Sequence, residues 1–515
     1  MRHGSGTPPP AESSIEHYRD SSLTPPSSHK SPKVLHTAYI SLSILLLFLN
    51  YFLAQYDKFV LSYFRSQVTN SLQLSETQYG LISGYATGIV YALLALPIAF
   101  IADYTSARVW TLTIAAVWWS LCVVFQGLAH NFTQIFCARV GMGIGQAAVE
   151  ALSISLISDL VKQRSIFVGN SVFYVGVYIG EAVSGQIAAA FTRTGTSWQI
   201  AMRAIGIAGV VIAFVLRLVL REPNRRHSLV DHGTTHPGVR QASGKQRGDG
   251  LTLAKADFVA TVEHLLHMHS FWLLVLGASV RQLAGNIFGY YMPGYLSALY
   301  PDTPDILSRY GIIVGVVGSV TVLSGGLVTS LFWNKTKLTP IYLTSIGGMI
   351  SSLFVLLMIF SRQLSGGNEV TGVRIVYATL FLAYLTAELW LGSFFALIAL
   401  LLPPGYKTFG LAIWSSVQVL IYSSGPEIMG LVLRKQDTES EGYLIATRDC
   451  LAVIIVLGYW VSGIILLSAI PLVRRDLAGK PASRGKRQRY SFLGFGLLLA
   501  CLVIIIFTLS LVYKA

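Results

Sequence analysis

The sequence predicts an all-α membrane protein made of two six-helix bundles, with an extra transmembrane helix at the C-terminus. Hydrophobic residues make up 53% of the 515 residues and charged residues 12%, which is about half the charged share of an average soluble domain. The apolar residues come in blocks of about 20 or more, each long enough to cross a hydrocarbon core about 30 Å thick. A water-soluble fold is therefore excluded, and no stretch is left for a separate catalytic domain.

The elements follow in order along the chain. Residues 1–36 are rich in Pro, Ser, Thr and His and are predicted to be a disordered cytoplasmic tail, because such a segment cannot bury enough apolar area. Two six-helix bundles follow, at 37–220 and 270–473, separated by a polar central loop at 221–269 that includes a short amphipathic helix. The predicted spans are 37–63, 78–102, 109–129, 133–160, 165–192, 199–220, 271–298, 309–333, 340–361, 373–402, 407–434 and 445–472.

Clusters of Lys and Arg fix the orientation of these spans. The central loop at 221–269 and the segment at 474–490 each hold several basic residues, which places both in the cytoplasm by the positive-inside rule. An apolar run at 491–513 follows, which is long enough to span and lacks the charged face of an interfacial helix. We expect it to form a thirteenth span, with its end facing the outside or a lumen.

The same patterns argue against several classes of function. The net charge of +14 comes from short basic clusters between apolar blocks, so it indicates membrane topology and not nucleic-acid binding. His264, His267 and His269 lie in the amphipathic stretch before helix 7 and are interpreted as a solvated helix face, so no metal site is predicted. Neither a phosphate-binding glycine loop nor a catalytic triad is recognisable, so we predict no ATP-driven pump, no enzyme and no cofactor.

Two segments resemble motifs of a known family. The segment RVGMGIGQA in helix 4 resembles the helix 4 signature of the major facilitator superfamily, in which glycines let neighbouring helices approach. The segment AFIADYTSAR resembles the loop motif between helices 2 and 3 of that superfamily, although it lacks the glycines and one arginine. The resemblance implies two bundles of inverted repeats that rock around a central cavity. The matching positions are Arg139, Gly143, Gly145 and Gln146 in the first segment and Asp103 and Arg108 in the second.

Further short patches, in the same order along the chain, resemble the spinster-like branch of that superfamily, which transports lysolipids and sphingosine phosphate. The resemblance implies alternating-access transport of a lipid-like or amphipathic organic anion or zwitterion, coupled to protons. This small amphipathic substrate, the protons and the lipid bilayer are the implied partners. The patches are Asp57-Lys58, Ile157 to Leu160, Ala201 to Arg203, Leu220 to Pro223, Ala387 to Trp390 and Ser423 to Pro426.

The sequence departs from the spinster-like pattern at two carboxylates. The family has a glutamate directly after the helix 4 glycines, where this chain has Gln146. The family also carries an aspartate shortly before the proline of helix 11, where this chain has an uncharged residue near Tyr422. One family proton site is therefore missing. Glu150 lies one turn beyond Gln146 on the helical stripe of Arg139, so it is the candidate replacement.

Ionisable side chains inside the spans supply the candidate site, because each costs at least about 2.5 kcal/mol to insert. Asp57, Glu150 and Glu181 are the candidates for proton coupling or gating. Two structural alternatives stay open: Glu150 or Glu181 could pair with Arg139 or Arg203 to hold the bundle, and Asp57 could form a structural salt bridge. Asp57 and Lys58 are adjacent and point about 100° apart, so they cannot pair face to face.

Lys58, Arg281 and Glu388 are the candidates for substrate binding. Arg281 could contact a substrate anion or pack against Glu388. A rival function is transport of another small organic anion, an organophosphate or a carboxylate, with Lys58 and Arg281 as a clamp. A second alternative is a non-transporting receptor on a transporter fold. It is suggested by the loop motif between helices 2 and 3, which lacks the glycines and one arginine of the superfamily pattern. The expected location is a plasma or endolysosomal membrane.

Overall fold

The computed structural model describes residues 32–74, 78, 81–82, 84–147, 149–223, 262–263, 265–303, 305–402, 406–425, 429 and 441–478. The chain divides into two compact units, Met1–Tyr39 and Ile40–Ala515. The described part of the first unit, residues 32–39, is helical. The second unit contains the contacts that form the bundle and the candidate site.

Twelve long helices form the described part of the bundle. The N-terminal half contains α1 (Pro32–Tyr63), α2 (Tyr85–Thr105), α3 (Arg108–Gln126), α4 (Phe132–Leu160), α5 (Ile166–Thr194) and α6 (Trp198–Val219). The C-terminal half contains α7 (His269–Leu299), α8 (Ile306–Phe332), α9 (Thr339–Ile359), α10 (Glu369–Leu401), α11 (Lys407–Ser423) and α12 (Glu441–Leu477). A short helix, Arg65–Leu72, follows α1.

Eleven of these helices are long and apolar enough to cross a membrane, and α11 has 17 described residues. Each predicted span in the two halves overlaps one of the twelve helices, which confirms the predicted all-α membrane fold. Residues 224–261 of the central loop lie outside the described residues. The basic segment from residue 479 onward and the predicted thirteenth span at 491–513 also lie outside them, so that span stays a prediction.

Several helix ends differ from the predicted boundaries for local physical reasons. Helix α1 begins at Pro32, within the predicted tail, and proline is favoured in the first turn of a helix. Helix α12 continues to Leu477 with two arginines in its last turn, where cations interact favourably with the helix dipole. Helix α4 begins after Asn131, whose side chain accepts a hydrogen bond from the Gln134 N–H at 3.0 Å. This cap satisfies one of the free donors at the helix start.

Two glycines let α4 pack closely against its neighbours. A Cβ atom at Gly143 would lie 2.8 Å from the carbonyl oxygen of Thr87 in α2. A Cβ atom at Gly145 would lie 2.6 Å from the Cβ of Trp119 in α3. Both glycines belong to the segment that resembles the helix 4 signature. The backbones of these helices can approach this closely because glycine has no side chain.

A methyl group at residue 145 should therefore destabilise the N-terminal half. We expect Gly145→Ala to lower the midpoint of thermal unfolding of the purified protein by several degrees, because overpacking a close contact costs about 1 to 3 kcal/mol. Gly294→Ala in α7 is the matched control, since a Cβ atom there meets nothing within 4 Å. Equal midpoints for the two variants would contradict this explanation of the α4 glycines.

The two halves are joined mainly by α5 against α8 and α10, and by α2 against α11. A Cβ atom at Gly326 of α8 or at Gly392 of α10 would lie 2.3 Å from the Oγ of Ser171 in α5. At the ends of α2 and α11 that are predicted to be cytoplasmic, the ring centroids of Phe100 and Phe409 are 5.8 Å apart. These contacts bring the polar residues of α1, α4 and α5 opposite those of α10.

Candidate functional site

The middle of the bundle holds carboxylates, tyrosines and a lysine that interact with one another, which we call the central cluster. They come from α1, α4 and α5 of the N-terminal half and from α10 of the C-terminal half. Because both halves contribute, a rocking motion of one half would change the surroundings of every member. The members are Lys58, Glu150, Glu181, Glu388, Tyr51, Tyr174, Tyr178 and Tyr384.

Glu150 is held by two tyrosine hydroxyls. Its Oε1 atom accepts a hydrogen bond from Tyr174 of α5 at 2.7 Å and another from Tyr51 of α1 at 3.4 Å. The Tyr51 ring stacks on Phe173 with the ring centroids 4.1 Å apart, which fixes the position of its hydroxyl. A tyrosine hydroxyl can donate to a carboxylate and accept from a carboxylic acid. The contact can therefore persist in both protonation states of Glu150.

Glu388 and Glu181 bring negative charge to the boundary between the halves. The Tyr178 hydroxyl of α5 donates a hydrogen bond to Glu388 of α10. Glu181 lies one turn further along α5, within electrostatic range of both Glu388 and Lys58. Glu388 begins a short 3-10 turn that interrupts α10. This part of the central cluster therefore combines two carboxylates with one nearby ammonium group.

Lys58 is exposed and faces the central cluster, although it lies well inside α1. Its Nζ atom is 5.2 Å from the ring centroid of Tyr422 in α11. This cation–π contact links the two halves at the level of the outer part of α1. Glu150 and Glu181 lie within electrostatic range of this ammonium group and compensate its charge inside the bundle.

Asp57 points away from Lys58 and is buried next to Arg139 of α4. The exposed fractions are 1% for Asp57 and 2% for Arg139. Arg139 donates to the backbone carbonyl of Ile82 at 3.0 Å and to that of Asp57 at 3.5 Å. Among the described residues, neither carboxylate oxygen of Asp57 has a hydrogen-bond partner. A buried carboxylate without a donor is costly in its charged form, and Arg139 is a cation within electrostatic range of it.

Gln146 and Arg203 make local contacts within the N-terminal half. Gln146 Nε2 donates to the carbonyl oxygen of Ala54 in α1 at 3.5 Å. Arg203 Nε donates to the carbonyl oxygen of Gln199 in its own helix at 3.3 Å. The structure thus places Gln146 between Arg139 and Glu150 on α4, against α1, and places Arg203 against the backbone of α6.

Arg281 is held by backbone carbonyls and aromatic rings inside the C-terminal half. It is 3% exposed, and it donates to the carbonyl oxygens of Thr344 and Ala387. Its guanidinium carbon lies 4.9 Å from each of the ring centroids of Trp390 and Tyr459. The Ala387 carbonyl is available because α10 changes to a 3-10 turn at the next residue. In this conformation Arg281 therefore supports the break in α10 beside Glu388.

A second group of polar residues joins the ends of the halves that the charge pattern predicts to be cytoplasmic, and we call it the cytoplasmic network. Arg108 lies at its centre and is fully buried. It forms ion pairs with Asp159 of α4 at 2.7 Å and with Glu222 after α6 at 2.8 Å. The Val109 N–H also donates to Glu222 at 2.9 Å. The members are Asp103, Arg108, Ser155, Ser158, Asp159, Glu222, Lys407 and Thr408.

The start of α11 ties the C-terminal half into this network. Lys407 Nζ lies 2.8 Å from the second oxygen of Asp159. The Phe409 N–H donates to Asp103 at 2.8 Å, so this carboxylate sits at the positive end of the α11 dipole. Nearby, Arg164 and Ser330 exchange two hydrogen bonds between the α4–α5 connection and α8. These contacts join the two halves at the ends that the charge pattern predicts to be cytoplasmic.

The sequence identified Asp103 and Arg108 as motif residues but not Lys407, which joins the same network through Asp159. The available signal was the position of Lys407 in the first turn of an apolar helix, where the helix dipole disfavours a cation. A buried acid from another part of the chain is needed to compensate, and Asp159 provides it. Long-range pairs of this kind cannot be read from the spacing of residues in one sequence.

Comparison with known proteins places this architecture in a family. Residues 47–426 match the family described as Major Facilitator Superfamily. A "Probable L-galactonate transporter" of Escherichia coli (strain K12) is 28% identical over 293 residues, which cover 56% of this chain and 61% of that protein. "Sphingosine-1-phosphate transporter SPNS2" of Danio rerio is 21% identical over 317 residues, which cover 59% of this chain and 59% of that protein. The chain thus matches about three fifths of the length of these two relatives.

A solved structure agrees with the fold. It is the inward-facing, unoccupied form of a bacterial homolog to the human lysosomal transporter Spinster. It covers 92% of this chain and 99% of its own, with a TM-score of 0.53 and 20% identity. At this identity the likeness supports the fold alone. With the family match over residues 47–426, the chain is a multi-pass membrane protein that belongs to the Major Facilitator Superfamily and is related to its spinster branch.

Proposed function

We propose that the chain is a secondary transporter that moves a lipid-like zwitterion, of the lysophospholipid or sphingoid-phosphate type, by alternating access coupled to protons. The observation that carries this proposal is that Glu181 of the central cluster lies within electrostatic range of both Lys58 and Glu388. Charges of both signs suit a substrate that has both a phosphate and an ammonium group. The name of the Danio rerio relative supports a sphingoid phosphate as one such substrate.

The phosphate and the ammonium group of such a substrate would each face a side chain of opposite charge in the central cluster. Lys58 would attract the phosphate, while Glu181 and Glu388 would attract the ammonium group. The rings of Tyr178 and Tyr384 lie close to these carboxylates, and aromatic faces suit both an ammonium group and the first carbons of an apolar chain. The cytoplasmic network would have to open before the substrate could leave toward the cytoplasm.

Proton coupling would use the carboxylates of the N-terminal half. Glu150 keeps its tyrosine partners in both protonation states, and it lies one turn from Gln146, which replaces the family glutamate. Asp57 is buried within electrostatic range of Arg139. Movement of the halves would expose these groups to different sides of the membrane. A proton taken up on one side could then be released on the other.

A binding experiment can separate the phosphate contact from the ammonium contact. We would measure the affinity of the purified full chain for a sphingoid phosphate and for the same lipid with its amine acetylated. Acetylation removes the ammonium charge, so the affinity should fall about tenfold or more, as expected for loss of a charge-assisted hydrogen bond. Glu388→Gln should abolish this difference, whereas Lys58→Met should weaken both ligands equally.

Equal binding of the two lipids by the unmodified protein would contradict the assignment of Glu388 to an ammonium group. Arg309→Met provides a matched control, because Arg309 pairs with Asp305 in an exposed position on the outer side of α8. This variant should leave both affinities unchanged, since an exposed ion pair contributes little.

The alternative function is transport of a small organic anion, such as a sugar acid. It is favoured by one observation, the name of the Escherichia coli relative. Lys58 and Arg281 would then act as a clamp for the carboxylate. The contacts of Arg281 with two carbonyls and two rings argue against this role in the present conformation. Tighter binding of a hexuronate than of either lipid in the same assay would support the alternative.

A further inference from the structure

A cavity of about 380 Å³ lies at the cytoplasmic face of the C-terminal half. It is formed by the loop between α8 and α9 and by the end of α12. Lys335, Lys337 and Arg474 line it, with Leu338 and Leu477 as apolar parts of its wall. This cavity is far along the helices from the central cluster, so no part of the proposed transport mechanism uses it.

This cavity, which we call the basic cavity, carries a strongly positive net charge. Its three basic side chains are exposed, and none of its lining residues is acidic. The neighbouring acid, Asp476, accepts a hydrogen bond from Ser270 at 2.5 Å and lies 3.4 Å from Arg475. It is therefore already compensated. Binding of an anion with two or more charges would reduce the electrostatic repulsion among these three cations.

The position of the basic cavity indicates where that anion comes from. The cavity lies where α8, α9 and α12 meet the cytoplasm, which is the depth of the lipid headgroups. Directly on the membrane side, Leu331 and Phe332 of α8 are 65% and 45% exposed, so an acyl chain can run along this surface. Six further basic residues between 475 and 489 follow in the sequence and add to the attraction for anionic lipids.

We propose that the basic cavity binds the phosphorylated headgroup of an anionic lipid from the cytoplasmic leaflet, with the phosphate monoester between Lys335, Lys337 and Arg474. A cavity of this volume is large enough for a headgroup that carries a sugar or inositol ring. The apolar wall and the exposed face of α8 select a lipid over a free phosphate ester. Basic pockets between transmembrane helices are suited to such headgroups.

The test uses the full chain in nanodiscs of phosphatidylcholine that contain a few per cent of phosphatidylinositol bisphosphate, with the number of bound lipids measured by native mass spectrometry. Lys335→Gln with Lys337→Gln removes two of the three cations and should weaken binding about thirtyfold. The matched control is Lys162→Gln with Arg221→Gln, which removes two exposed charges from the cytoplasmic side of the N-terminal half. The control pair should bind as the unmodified protein does.

Three outcomes would overturn the proposal. The first is equal weakening by the two double variants, which would mean that only overall surface charge matters. The second is equal binding of phosphatidylserine and of the bisphosphate lipid, since the site would then lack preference for a phosphate monoester. The third is binding of inorganic phosphate or a soluble inositol phosphate as tightly as the lipid, which would remove the lipid as the ligand.

Discussion

Replacing Lys407 with Met should shift the protein toward a conformation that is open to the cytoplasm. The side chain forms a buried ion pair with Asp159 and thereby joins the two halves. Loss of one partner of a buried pair costs about 3 kcal/mol or more, although Arg108 still compensates Asp159 here. Since the pair joins the two halves and opening would have to separate them, we expect the ratio of open to closed protein to rise at least about tenfold.

Distances between spin labels would measure this shift. Lys162→Cys and Asn334→Cys place labels on exposed positions at the cytoplasmic ends of the two halves, after replacement of the native cysteines. Lys407→Met should add a population with a longer distance, and Lys407→Arg should largely retain the short one because it keeps the charge. Arg309→Met serves as the control, since its exposed pair with Asp305 contributes little. An unchanged distance distribution in Lys407→Met would mean that this ion pair does not hold the closed state.

Glu150→Gln should make transport nearly independent of an imposed pH gradient. The amide keeps the size of the side chain and can still accept the hydrogen bonds from Tyr174 and Tyr51, but it cannot carry a proton. The ratio of uptake with and without the gradient should therefore fall to about one, while folded yield stays the same. Adding Gln146→Glu in this background should restore part of the dependence, because it returns a carboxylate to the family position.

Tyr174→Phe is the matched control for this experiment. It removes the shorter hydrogen bond to Glu150 but keeps the carboxylate, so dependence on the pH gradient should remain even if the rate changes. Full gradient dependence in Glu150→Gln would exclude Glu150 as a proton carrier. Asp57 or Glu181 would then be the groups to examine, with Asp57→Asn as the next variant.

The sequence was sufficient for the order of the twelve described helices because each span is a long apolar block. It also identified the close packing of Gly145, since glycines at short spacing have one main use in a membrane helix. The different directions of Asp57 and Lys58 followed from the helical period alone. Each of these properties depends on residues that are close together in the chain.

The remaining properties depend on residues that are distant in the chain. The contact of Arg281 with Ala387 arises from a 3-10 turn at Glu388, for which the sequence gives no clear signal. The pairing of Lys407 with Asp159 joins residues from different halves. Because these residues are far apart in the sequence, no single motif contains both. Tyr174 and Tyr51 bind Glu150 from two helices, whereas the sequence suggested an arginine as the structural partner.

The central claim, proton-coupled transport of a lipid-like zwitterion, is tested most directly in proteoliposomes. Uptake of a labelled sphingoid phosphate or lysophospholipid and the internal pH would be recorded together, with and without a pH gradient. We predict substrate-dependent proton movement in the unmodified protein and its loss in Glu150→Gln. Substrate uptake with no accompanying proton movement would contradict the coupling, and uptake of a hexuronate but of neither lipid would contradict the substrate.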